Sequence, residues 1–303
     1  MAISRSQLVK ELEPGLNALF GLEYQKYENE HTEIFSQESS DRAFEEEVML
    51  TGFGNAPVKQ EGAAVTFDSA NEAYTARYSH ETVALAFSIT EEAVEDNLYD
   101  RLSARYTKAL ARSMAHTKQI KAANVLNNAF TGGASAGGDG VSLVNTAHPT
   151  VGGGSFSNRN STDADLNETS LEQAMIDISQ FIDERGLKIA VQARKMIVPP
   201  QLMFVADRIL NSTLRTGTAD NDINALVNMS MLPEGYRVNH YLTDTDAYFI
   251  LTDAPNGFKH FVRTPLATAM EGDFDTGNVR YKARERYSFG FSDPRCVYGS
   301  QGS

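Results

Sequence analysis

Residues 90–130 read TEEAVEDNLYDRLSARYTKALARSMAHTKQIKAANVLNNAF, and this uninterrupted stretch determines how the chain must fold. It contains neither Gly nor Pro, and Thr90 before a run of acidic residues is typical of a helix start. The sequence therefore predicts one helix of about 40 residues, which at about 1.5 Å per residue is about 60 Å long. A helix of that length is a spine that must lean on other elements or on other chains.

One face of this spine helix carries only basic charge. Arg101, Arg105, Lys108 and Arg112 follow one another at steps of four, three and four residues, so they share a helix face. No acidic residue lies between Arg101 and Lys121. A solvated surface and a contact surface for an acidic arm or for packaged nucleic acid both fit this pattern.

The segments before the spine helix predict an arm, a loop and a strand. Residues 1–45 are acidic, with a helical pattern up to Tyr24, and we interpret them as an arm that becomes ordered only by contact with something else. Residues 46–88 carry Gly and Pro between short apolar runs, which is typical of an extended loop or long hairpin. The stretch ETVALAFSIT (81–90) alternates apolar and small or polar residues, which predicts a half-buried strand.

The region after the spine helix begins with a break. Residues 131–162 are rich in Gly and Ser, which indicates a mobile loop or linker around the short apolar patch VSLVN. A second helix follows, with Thr169 and Glu172 as the predicted capping box and Gly186 as the predicted stop. The later patterns predict a buried strand at KMIVPP (195–200), a helix at LMFVADRILNS (202–212) and a hairpin at AYFILTDAPNGFKHFVR (247–263) with an Asn256–Gly257 turn.

The last predicted strand, RYKARERYSFGF (280–291), lines up basic residues. With a period of two, Arg280, Lys282, Arg284 and Arg286 fall on one face, and Tyr281, Ala283, Glu285 and Tyr287 fall on the other. Like charges two residues apart repel one another. The stripe therefore needs an anionic partner within the fold, on another subunit or on a ligand.

Composition indicates an ordinary globular protein of about two domains. The chain has 303 residues, 41% hydrophobic and 22% charged, and a formal net charge of −13, which disfavours a general DNA-coating role. Cys296 is the single cysteine, so an intramolecular disulfide and a cysteine metal cluster are excluded, and a reducing compartment is expected. We find neither a signal-peptide pattern nor an apolar run of membrane-spanning length.

The sequence contains no motif that carries chemistry. The Gly-rich break lacks the lysine of a phosphate-binding loop, and the six histidines never fall at ligand spacing. Asp273, Asp275 and Gly277 fit a turn better than a calcium loop, because Arg284 stands where the bidentate glutamate should be. We therefore predict no catalytic residue, no metal and no cofactor. With 40 carboxylates, a hydrolase that uses a pair of Asp or Glu residues stays open as an alternative.

Several segments in the second half of the chain resemble a known family. They are IVPPQLMFVADRIL (197–210), LPEGYRVN (232–239), TDAYFILTDAPNGFKHFVR (245–263) and above all DFDTGNVRYKARERYSFGFSDPRCVYG (273–299). These segments resemble the Mu-like major head protein family. The order of elements is similar to that of the major capsid proteins of tailed bacteriophages, which share the Hong Kong 97 type capsid fold.

The resemblance implies an α+β fold with named parts. They are an N-terminal arm (1–45), an E-loop (46–88) that includes Asn55 and Lys59, a P-domain (89–160) with the spine helix and an antiparallel sheet, an A-domain (161–270) with a mixed sheet and flanking helices, and a C-terminal P-domain strand (271–303). Some members of the fold join an E-loop lysine covalently to an asparagine. No motif around Lys59 supports that reaction, and we interpret this lysine as a loop charge.

The resemblance also implies the function and the partners. The expected protein is a major capsid protein that assembles through pentamers and hexamers into an icosahedral shell around double-stranded DNA, in the cytoplasm of a bacterial host. The expected partners are other copies of itself, packaged DNA, and separate scaffolding, portal and decoration proteins. A procapsid is expected to mature into the final shell, and no contact with a membrane is expected. We hypothesise that acids such as Glu45, Glu46 and Glu47, on this chain or a neighbour, face the stripe at 280–286. A tail-tube or decoration protein is a further alternative, for which rings or trimers are expected.

Overall fold

The computed structural model of the chain describes residues 5–90, 92, 99–133, 137–215, 222–273 and 277–302, with side chains from residue 14 onward except at 99–102. It shows an α+β fold, as predicted. The helices are α1 (Arg5–Gln25), α2 (Tyr99–Asn127), α3 (Glu168–Ser179), α4 (Met203–Asn211) and α5 (Ala225–Asn228).

Most strands belong to two four-stranded sheets. The first sheet has the order β1–β10–β11–β4, and the second has the order β12–β9–β7–β8. Two further pairs, β2–β3 and β5–β6, stand alone. The strands are β1 (Ser36–Ser39), β2 (Phe44–Leu50), β3 (Glu72–Ser79), β4 (Glu81–Ile89), β5 (His148–Pro149), β6 (Ser155–Phe156), β7 (Ala193–Val198), β8 (Tyr236–Val238), β9 (Tyr248–Thr252), β10 (Phe258–Gly272), β11 (Val279–Phe291) and β12 (Val297–Ser300).

The predicted spine helix is α2, which spans 29 residues. At about 1.5 Å per residue it is about 44 Å long. Leu110, Ala111 and Met114 on one side of α2 are buried against Tyr281 and Ala283 of β11. Residues 91 and 93–98, which carry most of the predicted acidic first turn, lie outside the described residues. Among the helices that the structure describes, none is long and apolar enough to cross a membrane.

The N-terminal arm packs on its own chain, so the prediction that it becomes ordered only by contact with something else is wrong for residues 14–39. Leu16 and Phe20 of α1 are buried in the same cluster as Leu110 of α2. Strand β1 then pairs in parallel with the start of β10. The apolar face of α1 packs beside α2 on the same face of the first sheet, which explains why the arm docks in this way.

A second core joins the two sheets. Ile34 and Phe35 of the arm pack there with Leu126 of α2 and with Phe249 and Leu251 of the second sheet. A third core lies inside the second sheet's own lobe, between β7, β9, β12, α3 and α4. The arm therefore fills the joint between the lobe of the spine helix and the lobe of the second sheet.

The predicted hairpin at 247–263 is wrong, although its two strands and its turn exist. Strand β9 pairs with β7 and β12, whereas β10 pairs with β1 and β11, so the segment passes from one sheet to the other. Asn256 adopts a positive φ of 55°, as the predicted turn type requires at this position. The turn chemistry fixed the local backbone but not the partners of the strands.

The predicted boundaries of the second helix are also wrong. The N-cap of α3 is Asn167, whose Oδ1 accepts from Ser170 N at 2.8 Å, while Ser170 Oγ accepts from Asn167 N at 3.0 Å. This pair forms the capping box two residues before the one predicted from Thr169 and Glu172. Gly186 has a positive φ of 80° in a later turn and does not end the helix.

The Gly-rich break is packed rather than mobile within its described residues, 131–133 and 137–162. Leu143 and Val144 are fully buried. His148 is also fully buried, with Nδ1 at 2.6 Å from Asp139 Oδ2 and Nε2 at 3.1 Å from Asn158 Oδ1. Gly and Ser are typical of linkers, but the apolar and polar residues between them are buried in this segment. The interpretation as a mobile linker is therefore wrong.

Candidate interface surfaces

The basic residues of β11 project from one face of the first sheet. Arg280, Lys282 and Arg284 are exposed and Arg286 is half-buried, while the alternating residues Tyr281, Ala283, Glu285 and Tyr287 are buried. The alternation predicted from the sequence is therefore confirmed. We call these four basic residues the cationic ridge and the sheet face that carries them the outer face.

Small side chains flank the cationic ridge on both sides. On β4, Ala86 pairs with Lys282, Ala84 with Arg284 and Thr82 with Arg286, and all three flanking side chains are exposed. On β10, Ala269 and Ala267 occupy the positions opposite Lys282 and Arg284. The long basic side chains therefore project beyond two flanking rows of small side chains on the outer face.

Among the described residues, negative charge meets the ridge at its Arg280 end, where Glu271 of β10 stands opposite Arg280. Arg280 forms an ion pair with Asp273 at the end of the strand. Lys282 and Arg284 have no hydrogen-bond or ion-pair partner among the residues that the structure describes. Nε of Arg286 and Nε of Arg263 are also buried, and neither has a hydrogen-bond partner among the described residues.

The predicted acidic partners of the ridge serve other groups within one copy of the chain. Glu45 accepts from Ser40 Oγ at 2.6 Å, and Glu46 lies 3.8 Å from Arg77. Glu47 forms an ion pair with Lys259. The structure thus brings Glu45, Glu46 and Glu47 together on β2 but not onto the ridge, and their pairing with the ridge stays a prediction for a neighbouring copy.

The inner face of the first sheet holds a buried ion pair. Lys118 Nζ of α2 lies 3.2 Å from Glu285 Oε2 of β11, and Tyr24 of α1 donates to the same oxygen at 3.4 Å. Burial raises the pKa of Glu285, and the Lys118 ammonium opposes this shift. The arm, the spine helix and the central strand therefore share one buried contact.

The basic face of α2 lies on the helix side of the sheet, whereas the ridge lies on the other side. Arg105, Lys108 and Arg112 are exposed, and the side chain of Arg101 lies outside the described residues. Arg112 Nε donates to Tyr27 of the arm at 2.7 Å. The two basic surfaces are therefore separate, and a single flat partner cannot cover both.

The loop at residues 51–71 has no regular secondary structure and is almost entirely exposed. It carries Asn55, Lys59 and several large apolar side chains, of which Val58 and Phe67 are each 95% exposed. Asp68 holds it in place, since one oxygen accepts from Gly54 N at 2.8 Å and the other accepts from Arg185 at 2.8 Å. These backbone contacts and Arg185 keep the pKa of Asp68 below its usual range.

Two carboxylates of the arm tie it to the second sheet. Glu33 Oε2 lies 2.7 Å from Lys195 Nζ and 3.2 Å from Arg237 Nε. Glu30 lies 2.7 Å from His240 Nδ1. The hydrogen bond from Lys195 lowers the pKa of Glu33 most strongly. Burial acts in the opposite direction, but Arg237 lowers the pKa further, so the net shift is downward. This strap crosses the joint that Phe35 fills.

No sequence pattern predicts the buried ion pair of Arg295 and Glu184 in the second lobe. Arg295 Nη2 donates to Glu184 Oε1 at 2.8 Å, and both side chains are almost fully buried. The Arg295 guanidinium also lies over the ring of Phe156, 4.2 Å from its centre. Glu184 precedes Arg185, so this pair fixes the turn that holds the loop at Asp68.

These contacts bind parts of the chain to one another and leave charged and apolar surfaces open. In the described part of the chain, no group of three or more His, Cys, Asp or Glu residues could hold a metal ion. The family model described as phage capsid protein matches residues 73–300, well over half of the chain. The chain belongs to the phage capsid protein family.

Solved structures show that this capsid protein has the Hong Kong 97 type fold. The capsid of cyanophage P-SCSP1u matches with a TM-score of 0.55 and 11% identity, over 88% of this chain and 85% of that one. The capsid of Myoviridae phage XM1 matches with a TM-score of 0.53 and 11% identity, over 89% of each chain. The SrpI encapsulin of Synechococcus elongatus PCC 7942 matches with a TM-score of 0.53 and 9% identity, over 90% of this chain and 86% of that one.

The predictions of a phage capsid protein and of the Hong Kong 97 type fold are confirmed. No curated protein matches it in sequence. Capsid proteins of this family are structural, which agrees with the prediction that the chain is not an enzyme. The hydrolase alternative has no support from the family match.

Proposed function

We propose that this capsid protein is the repeating subunit of a tailed-phage head, which assembles through pentamers and hexamers into an icosahedral shell around double-stranded DNA. The observation that carries the proposal is the family match over residues 73–300. The loop at 51–71 supports it, because Val58, Val65 and Phe67 are exposed in the single chain. Large exposed apolar side chains mark surfaces that another protein covers.

We assign the parts of the subunit as the family resemblance implies. The arm is residues 1–45, the E-loop is carried by the β2–β3 hairpin, and the P-domain combines α2 with the first sheet. The A-domain holds the second sheet with α3, α4 and α5. We assign β4 to the P-domain rather than to the E-loop segment 46–88, and its pairing with β11 supports this assignment.

The proposed partners follow from charge and from the closed shell. Packaged DNA would make non-specific contacts, and a net charge of −13 keeps these contacts weak, so that the packed DNA can leave the shell. Scaffolding, portal and decoration proteins would be separate chains. Assembly would take place in the cytoplasm of the bacterial host.

The test is light scattering of the purified full chain across a salt series, with negative-stain electron microscopy of every sample. The proposal expects pentamers and hexamers that convert into closed shells, alone or after addition of a scaffolding protein. A monomer that forms no higher assembly at any salt concentration, even with scaffold supplied, would overturn it. Open rings or trimers as the final product would favour the tail-tube or decoration alternative.

A further inference from the structure

We propose that the cationic ridge is the docking surface for an extended acidic segment of a second copy of this chain. The inference rests on the proposed function, because it needs many copies in one shell. It goes beyond that function by naming one surface and the chemistry of its partner.

The first argument is the missing negative charge. Lys282 and Arg284 have no ion-pair or hydrogen-bond partner in the described residues, and they repel one another along the strand. Nε of Arg286 and Nε of Arg263, also within the described part, are buried and have no partner. Buried guanidinium nitrogens are normally hydrogen-bonded, so the positive charge in this part of the surface is incompletely satisfied within the described residues of one copy.

Arg263 extends the ridge at a β-bulge. The register between β10 and β11 shifts between Val262 and Thr264, and Thr264 is the residue opposite Arg286. Burial lowers the pKa of His80, and the charges of Arg286 and Arg263 lower it further, against the opposing charge of Glu45. Arg263 and Arg286 therefore form the positive end of the surface, beside His80.

The second argument is shape. Alternate residues of a strand are about 6.7 Å apart, which is also the spacing of alternate acids in an extended partner. The rows of Ala84, Ala86 and Ala267 let a partner backbone come close to the sheet, while the arginines reach its carboxylates in a forked geometry. A rigid DNA duplex would touch only the tips of the basic side chains and leave both rows empty.

The third argument is that another copy of the chain can provide the acidic residues. The chain has 40 acidic and 27 basic residues, so another copy offers acidic surface in excess. Such a contact is a steering contact, which raises the rate of association and weakens with salt.

The first experiment compares two variants with the same change of charge. In Lys282→Glu/Arg284→Glu the charge of the ridge is reversed, whereas the control Lys188→Glu/Arg194→Glu makes the same change of charge at two exposed basic residues outside the candidate surfaces. We expect the ridge variant to lose closed shells by about tenfold or more at low salt, with the control close to wild type. Circular dichroism and thermal unfolding of both variants show that the subunits are folded.

The second experiment identifies the partner directly. Shells are assembled from a mixture of unlabelled and ¹⁵N-labelled chains and are treated with a carbodiimide, which joins a lysine amine to a carboxylate in contact with it. DNA is removed before this reaction. We expect cross-links between Lys282 of one chain and an Asp or Glu of a chain that carries the other isotope label. Lys282→Arg keeps the charge but has no amine, so it should still form shells while this cross-link disappears.

Failure of this inference is distinct from failure of the proposed function, because wild-type shells must form before either comparison begins. The inference is overturned if the ridge variant assembles like wild type, or if both variants lose shells equally. It is also overturned if the ridge variant forms shells that retain less DNA, since DNA would then be the partner.

Discussion

Lys118 and Glu285 meet 3.2 Å apart beneath the first sheet, and Tyr24 of the arm donates to the same carboxylate. Glu285 is almost fully buried and its second oxygen has no hydrogen-bond partner among the described residues. Loss of one member of a buried ion pair leaves an uncompensated charge, which is more costly than loss of both. The pair therefore makes docking of the arm specific to one position on the spine helix.

Lys118→Met should lower the free energy of unfolding of the subunit by about 3–5 kcal/mol at neutral pH. The double variant Lys118→Met/Glu285→Gln should lose less than the sum of the two single variants. Burial holds the pKa of Glu285 above its usual range, so the folded state binds this proton more readily than the unfolded state. The loss caused by Lys118→Met should therefore shrink as the pH falls, and urea denaturation at two pH values would measure it. A loss below about 1 kcal/mol at both would contradict the role of the pair.

Phe35→Ala should remove the arm from the joint between the lobes. Phe35 is buried and stacks edge-on against Phe258 and Phe289 at 5.3 and 5.0 Å between ring centres. Removal of a buried phenylalanine costs about 3–5 kcal/mol. Phe53→Ala is the matched control, since Phe53 is 63% exposed and its loss should leave subunit stability almost unchanged. Equal stability of the two variants in chemical denaturation would contradict the packing described for the arm.

Arg185→Ala should loosen the loop at 51–71 without unfolding the subunit. Lys59 is the only Lys or Arg in residues 51–71, so trypsin cleavage after Lys59 reports the freedom of the loop. Because exposed ion pairs are weak, we expect cleavage to become only about two to five times faster. Arg194→Ala, at an exposed position outside this contact, is the control. Cleavage of both variants at the wild-type rate would mean that Asp68 and Arg185 do not hold the loop.

Acid should destabilise the subunit through two buried histidines. Burial lowers the pKa of His31 to about 4 and that of His260 to about 3, and the Lys118 charge adds to both shifts. The unfolded chain therefore binds more protons than the folded one between about pH 6.5 and these values. The free energy of unfolding should fall as the pH drops through that window, while protonation of Glu285 opposes part of the loss. His31→Gln should show a shallower fall in denaturation experiments at pH 7 and pH 4.5; an equally steep fall would exclude His31 as a source.

Local patterns predicted much of this fold because each depends on neighbours in sequence. The alternation along β11, the helix at α4 and the buried strand β7 follow from periods of 2.0 and 3.6 residues. The positive φ of Asn256 follows from turn chemistry in the same way. The pairing partners of the strands do not follow from local patterns, so the sequence predicts one hairpin for β9 and β10 although they lie in different sheets.

The surfaces were predicted only in part for a related reason. The residues of the ridge could be read from one strand, but the rows of small residues beside it come from β4 and β10, which are far apart in sequence. Glu45 and Glu47 were visible as acids, whereas their contacts with Ser40 and Lys259 depend on the tertiary fold. Arg295 and Glu184 lie 111 residues apart, and no periodic pattern connects them.

The most direct test of the account is cryo-electron microscopy of the particles that the full chain forms. The account predicts closed icosahedral shells with pentamers at the vertices, in which the loop at 51–71 and the cationic ridge are both covered by neighbouring copies. A map of closed shells with the loop and the ridge exposed to solvent would contradict the assignment of these surfaces. Particles without icosahedral order, or no particles at all, would contradict the proposed function itself.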